Sequence, residues 1–345
     1  MIKNLQSLRG ICAMLIITHH FGFAAMQPAG VWSVAVFGML SGLVLSIAFA
    51  QRAKAGELPG FGSFMRKRMV RIYPLYLLGL VWSLALMKFQ APAATVVANL
   101  LMVQSWIPDP DVYFAINAPA WFVSGLMVRY LLFLPATRAM HHRPRVFYGG
   151  VGLLAAIYFS CALLLPERLL DPLVYIFPPM QLLIFALGML GYQWLASGRL
   201  LPRSGCTQQW LTAGVMGLIV AMMFADHLVT VRLTLSSYWW APTLLLLLLL
   251  TRTDTSRGLL TRLLHSRGLL ALGAISYPLY ILHKPFIQTY RILLSHTGLD
   301  LPLPLSFLIC ATLLIIFSLG ANRLISQPLT RLLSPSRKCK PANNL

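Results

Sequence analysis

The sequence predicts an all-α integral membrane protein, a bundle of about ten transmembrane helices with both termini in the cytoplasm. Three observations carry this prediction. The 345-residue chain is 58% hydrophobic and only 10% charged, where soluble domains are roughly a quarter charged. Apolar runs near twenty residues, each fit for about 30 Å of hydrocarbon, recur at short intervals with no long polar linker. The basic residues collect in alternate connecting segments, the pattern that sets orientation in a membrane.

The first helix is expected at about 8–26. Lys3 and Arg9 precede its apolar run as in a secretory signal. His19 and His20 interrupt that run, however, and many spans follow, so the segment reads as a retained helix. The second, at about 31–50, carries Gly38 and Gly42 in GMLSG, a small-xxx-small pattern that lets helices approach closely. The third, at about 72–89, follows the basic stretch FMRKRMVR. An apolar segment at 95–106 is left out of the count and reads as an interfacial or re-entrant helix before the fourth span, at about 118–136. The remaining spans fall at about 146–165, 173–195, 209–226, 236–251, 269–291 and 303–325.

With the N-terminus inside, segments 3–9, 52–71, 138–145, 199–203, 252–267 and 331–340 hold 21 of the 28 Lys and Arg residues. The outer segments hold Asp109, Asp111, Glu167, Asp171, Asp226 and Asp300 beside only Lys88, Arg168 and Arg232. An even number of spans follows. Residues 1–330 are expected to form one membrane unit, with a short basic cytoplasmic tail at 331–345.

A net charge of +20 invites a nucleic-acid reading. Its placement in the inner segments accounts for it instead, so the expected partner is the lipid bilayer and not nucleic acid. Cys12, Cys161 and Cys310 lie in apolar runs, Cys206 and Cys339 in basic segments, and no CxxC or Cys/His zinc spacing occurs. Reduced structural thiols and no metal are expected. No fixed-period repeat or inverted pair of broken helices is evident.

Four features carry chemistry. In the first helix Arg9 and His20 are eleven positions apart. At 100° per residue they lie about 20° from eclipsed and roughly 16 Å apart along the axis, whereas His19 is about 80° away from Arg9. Arg9 and His20 thus share a face and can line one path into the bundle. A topological anchor and a packing histidine would leave the same pattern, but an intramembrane ionisable residue is a functional site by default. Second, Arg68 and Arg71 stand at i and i+3 before the third span. Either they anchor topology, or their guanidinium groups converge on phosphate from adjacent turns. Third, SYPLYILHKPF places Tyr277, Tyr280 and His283 at three-residue steps. Aromatic packing explains the tyrosines, while His283 is as readily a site residue. Fourth, Arg129 sits in the fourth span and needs an interior partner.

GxSxG, Walker A and HExxH motifs are absent. Only eight carboxylates exist, mostly in outer loops, which disfavours a paired-carboxylate mechanism and leaves a histidine base with no evident acidic partner.

Five stretches occur in an order that resembles the integral-membrane acyltransferase 3 family, the O-acetyltransferases of bacterial surface sugars. They are LRGICAMLIITHH (8–20), FGMLSGLVLS (37–46), FMRKRMVRIYPLY (64–76), APAWFVSGLMVRYLLFLP (118–135) and LGAISYPLYILHKPF (272–286). The family's Arg-x10-His motif falls on Arg9 and His20, and its Arg-x-x-Arg motif on Arg68 and Arg71. Two departures stand out. Where many members read Trp-Ser-Leu-Ser-Val-Glu, this chain has Trp121 to Leu126, so Leu126 replaces the acidic residue although Trp121 and Tyr130 keep register. Where many read Glu-Arg-Pro after the last span, this chain has Ser326, Gln327 and Pro328.

The resemblance implies a ten-helix bundle in the bacterial inner membrane. It would move an acyl group, most often acetyl, from cytoplasmic acetyl-CoA or another acyl-CoA to a carbohydrate hydroxyl at the outer side. Arg68 and Arg71 would bind the CoA phosphates, the pantetheine arm would pass Arg9, and His20 would be the general base. Trp121, Tyr277 and His283 are candidates for the substrate path. No esterase-like domain is appended, so the unit is expected to act alone or with polysaccharide assembly proteins. A transporter or flippase lined by the same buried Arg and His residues is the rival class, and a membrane scaffold for which Arg9 and His20 do not matter is the third. The acceptor glycan stays open at this level.

Overall fold

A computed structural model of the chain describes residues 2–198, 205–225, 237–255 and 258–333. Arg199, Arg203, Asp226, Arg232, Arg257, Arg337, Lys338, Cys339 and Lys340 lie outside the described residues, as do 334–345 of the expected tail. The last residue of the expected seventh helix and the first of the eighth also fall outside.

The described residues contain helices and no strand. The main elements are α1 (Lys3–Phe21), α2 (Gln27–Lys54), α3 (Phe61–Leu86), α4 (Ala93–Leu100), α5 (Ala120–His142), α6 (Pro144–Leu164), α7 (Gln181–Ser197), α8 (Gly205–Phe224), α9 (Trp240–Arg252), α10 (Arg267–Ala274), α11 (Ser276–Thr297) and α12 (Leu303–Ala321). Six segments, Ala24–Lys54, Phe61–Leu86, Ala120–His142, Pro144–Leu164, Gly205–Phe224 and Leu303–Leu333, are long and apolar enough to cross a membrane. Helices α1, α7, α9 and α11 occupy the other four expected positions but fall short of that standard in length or hydropathy.

The outer helices show why the chain belongs in lipid. Along α6 only Phe147, Tyr158 and Ala162 are buried, while Leu153, Leu163 and Leu164 are exposed. A helix apolar on all sides with one side unpacked suits hydrocarbon, not water. The chain is a multi-pass membrane protein.

Inside, α2 packs along α7, and α1 lies against α2, α10 and α11. The α2–α7 approach requires glycine: a Cβ on Gly42 would overlap the Phe185 carbonyl, and one on Gly188 would overlap the Met39 carbonyl. The spacing in GMLSG therefore serves helix packing. Helix α1 is pinned at both ends. At its start Asn4 N–H donates to Asp254 Oδ1 (2.8 Å), Asn4 Nδ2 to the Leu250 carbonyl (3.0 Å), and Ser7 Oγ to the Leu264 carbonyl. At its end Arg291 Nη2 donates to the Phe21 carbonyl (2.6 Å), and Gly22 turns the chain at φ 121°.

The ninth expected helix is a correction: it is two helices, α10 and α11, with Ile275 between them. Pro278 explains the break, because a proline ring clashes with the carbonyl four residues back, here Ala274. Restarting the helix at Ser276 puts Pro278 in a first turn, where no N–H is needed. Pro285 lies farther along α11 and frees the Ile281 carbonyl, which accepts from Asn117 Nδ2 at 2.9 Å. In a bilayer such a carbonyl has no water to turn to. Asn117→Leu is therefore expected to cost about 1–3 kcal/mol, read as a lower thermal unfolding midpoint in detergent.

Candidate functional site

Helix geometry brings three of the singled-out arginines to one cavity. Arg9 from α1 and Arg68 and Arg71 from α3 line a space of about 160 Å³ with Phe122, Leu126 and Tyr130 of α5, Ser276, Tyr277 and Tyr280 of α11, and apolar residues and Ser41 of α2. Arg68 packs against two aromatic rings that meet edge to face, its Cζ 5.0 Å from the Phe64 ring centroid and 5.6 Å from that of Tyr130. This contact fixes a long flexible side chain and leaves its hydrogen-bonding edge free. Among the described residues the only ion pair is His265–Asp254. None of the three cavity guanidiniums has a carboxylate partner there, so the cavity is an uncompensated cationic site.

Its wall is otherwise apolar, and Leu126 takes part in it. The missing acidic side chain noted in the sequence would have stood on this wall. The Ser276 hydroxyl is buried without a hydrogen-bond partner on the same wall. The volume is below the roughly 300–1,000 Å³ of pockets that enclose a drug-sized ligand. A space of this size suits a narrow, extended group.

His20 does not line this cavity. The shared face of Arg9 and His20 leads to two stations, and α11 connects them. Tyr277 and Tyr280 border the cavity, with Tyr277 Oη donating to the Ile72 carbonyl (2.7 Å) and Tyr280 Oη to the Pro119 carbonyl (2.8 Å). One turn on, fully buried His283 has Nδ1 at 2.7 Å from the Tyr280 carbonyl and Nε2 at 3.1 Å from His20 Nδ1. His20 Nδ1 also lies 3.1 Å from the Ile16 carbonyl. His19 packs beside His20 at a ring separation of 4.9 Å, outside the hydrogen bond.

Trp121 is placed outside the cavity, packed on Tyr175 at 5.1 Å, and its neighbour Phe122 faces the space instead. Arg129 finds an interior partner: Nη2 donates to Gln181 Oε1 at 2.7 Å and the guanidinium lies 4.6 Å over the Phe122 ring. The His20–His283 pair and the Phe64–Arg68–Tyr130 clamp were not foreseen from the sequence. A usable signal existed for the clamp, since Phe64 precedes Arg68 by one helical turn. None existed for a pair 263 residues apart. Among the described residues no group of three His, Cys, Asp or Glu side chains is placed to hold a metal. Cys12, Cys161, Cys206 and Cys310 are free thiols.

Comparison with known proteins adds an independent observation. A family model described as an acyltransferase domain matches residues 2–322. The chain is 28% identical over 326 residues to the acyltransferase MdmB of Streptomyces mycarofaciens, covering 83% of this chain and 79% of that protein. It is 38% identical over 79 residues to protein 2 in the picA locus of Rhizobium radiobacter, covering 22% of this chain and 40% of that protein. No solved structure matches.

Proposed function

The chain belongs to the acyltransferase 3 family and is a membrane acyltransferase; from that premise we propose that it takes an acyl group, acetyl in the first instance, from cytoplasmic acyl-CoA. The acceptor in this reading is a hydroxyl of a cell-surface or lipid-linked carbohydrate, reached from the outer side of a bacterial inner membrane. About ten helices cross the bilayer, and both ends of the chain face the cytoplasm, where the basic residues concentrate.

The observation that carries this reading is the unpaired Arg9, Arg68 and Arg71 around a cavity suited to a narrow arm. Arg68 and Arg71 bind the CoA phosphates at the cytoplasmic mouth, and the pantetheine arm runs along the wall past Arg9 toward Tyr277 and Tyr280. His20, one helical segment farther, takes the proton of the acceptor hydroxyl as its oxygen attacks the thioester carbonyl carbon. The carbon–sulfur bond breaks, the electron pair leaves with CoA sulfur, and the proton passes from His20 to that thiolate. The products are an O-acyl ester and free CoA.

Mass spectrometry of envelope glycans tests the acceptor assignment. A strain lacking the protein is expected to lose an acyl mass, 42 Da for acetyl, that the wild-type gene restores and the His20→Ala gene does not. Unchanged glycans in all three strains would remove carbohydrate from the proposal.

A further inference from the structure

Resting on the assignment of His20 as general base, we propose that His283 is a positioning residue that fixes the tautomer of His20, in place of a carboxylate. Helix α11 thereby delivers to α1 a hydrogen-bond acceptor that decides which nitrogen of His20 can take a proton.

The Tyr280 carbonyl can only accept. It lies 2.7 Å from His283 Nδ1, so that nitrogen carries the hydrogen. A neutral imidazole has one N–H, which leaves a lone pair on His283 Nε2. That lone pair is 3.1 Å from His20 Nδ1, so His20 Nδ1 is the donor. The other neighbour of His20 Nδ1, the Ile16 carbonyl at 3.1 Å, is also an acceptor and requires the same hydrogen. Two independent acceptors agree, and the free lone pair of His20 is on Nε2. The opposite tautomer would set the Nδ1 lone pair against both of them.

Protonating His283 instead would not restore the balance. His283 is fully buried, and the charged side chains acting on His19, His20 and His283 are cations: Lys284, with Arg291 acting in turn on Lys284. No carboxylate is among them. A buried imidazolium there would stand uncompensated beside like charge. The neutral relay Tyr280 carbonyl, His283, His20 is the arrangement that satisfies each ring nitrogen facing the protein.

In a base oriented by a carboxylate, the acid both selects the tautomer and stabilises the imidazolium formed. Neutral His283 supplies the first effect through the same kind of bond and only a small part of the second. When His20 Nε2 takes the acceptor proton, Nδ1–H remains bonded to His283 Nε2, and no proton moves along the relay. Substituting His283 therefore misorients the base without removing it.

The test reads the tautomer itself. Full-length protein with 15N- and 13C-labelled histidine is reconstituted in phosphatidylethanolamine and phosphatidylglycerol liposomes, and solid-state NMR is recorded for wild type, His20→Ala (to assign the His20 signals), His283→Leu and His283→Gln. Wild-type His20 is expected to be the Nδ1–H form. His283→Leu is expected to give a mixture with the Nε2–H form and a fall of at least about tenfold in kcat, a part of the roughly 10²–10⁴-fold that a positioned base contributes, with KM for acetyl-CoA unchanged. In His283→Gln, whose Oε1 can accept, part of both losses is expected to return. A wild-type His20 in the Nε2–H form overturns the proposal, as does an unchanged tautomer population in His283→Leu. Should His283→Leu fail to fold, the wild-type and His283→Gln spectra decide. The spectra need no acyl transfer: failure of the base assignment itself shows as an active His20→Ala enzyme.

Discussion

Replacing His20 with alanine is expected to lower the rate of acyl transfer by about 10²–10⁴-fold, the usual contribution of a positioned general base, at unchanged abundance in the membrane. The two halves of this expectation have separate grounds. The rate falls because His20 is the side chain whose free nitrogen stands where α1 and α11 meet beyond the cavity. Abundance holds because α1 is fixed by other groups: Asn4 and Ser7 at one end, and Arg291 on the Phe21 carbonyl at the other. His19→Ala is the internal control. His19 makes no bond to His283 and packs against α2 near Gly30, so most activity is retained. Acyl-CoA turnover measured beside immunodetected membrane content checks both. Wild-type turnover in His20→Ala would remove the base from the mechanism.

The second large effect belongs to the cationic cavity. Arg68→Ala with Arg71→Ala is expected to raise KM for acyl-CoA about 10- to 100-fold, since a net loss of about 1.5–3 kcal/mol, that of one hydrogen bond to a charged group, is one to two factors of ten at about 1.4 kcal/mol each. Turnover at saturating donor is expected to be largely kept, because in the proposed reading these arginines hold phosphates away from the reacting carbon. Arg68→Lys is not a mild change. The ammonium loses the packing against the Phe64 and Tyr130 rings that orients the guanidinium. Initial rates over a range of acetyl-CoA concentrations separate the KM effect from a loss of kcat; a fall in kcat alone would move these residues from donor binding to chemistry.

The two expectations differ in how far the sequence foretold them. Arg68 and Arg71 stand at i and i+3, and local helical geometry suffices to place them together at one end of α3. Hydropathy likewise located a helix at each of the ten expected positions, because apolar runs are local. What window averaging lost was partly a local proline signal and partly what long-range contacts decide. Window averaging ran through Pro278 and merged α10 with α11. Phase arithmetic put Arg9 and His20 on one face but could not show that the cavity stops at Tyr280 while His20 turns to His283. The missing acidic partner for His20 was visible in the sequence. Its replacement by a histidine from the other end of the chain was not, since no periodicity links residues 20 and 283. Arg129 is a similar case: its need for a partner follows from burial, but Gln181 as that partner follows only from the fold.

In the proposed function this membrane bundle consumes acyl-CoA to acylate a hydroxyl. The direct measurement is the fate of radiolabelled acetyl-CoA supplied to purified protein in liposomes, with and without an envelope glycan extract enclosed. Label is expected as a base-labile ester on the glycan with an equal amount of free CoA, and His20→Ala is expected to block both. Movement of glycan across the bilayer with acetyl-CoA intact and no ester formed would contradict it.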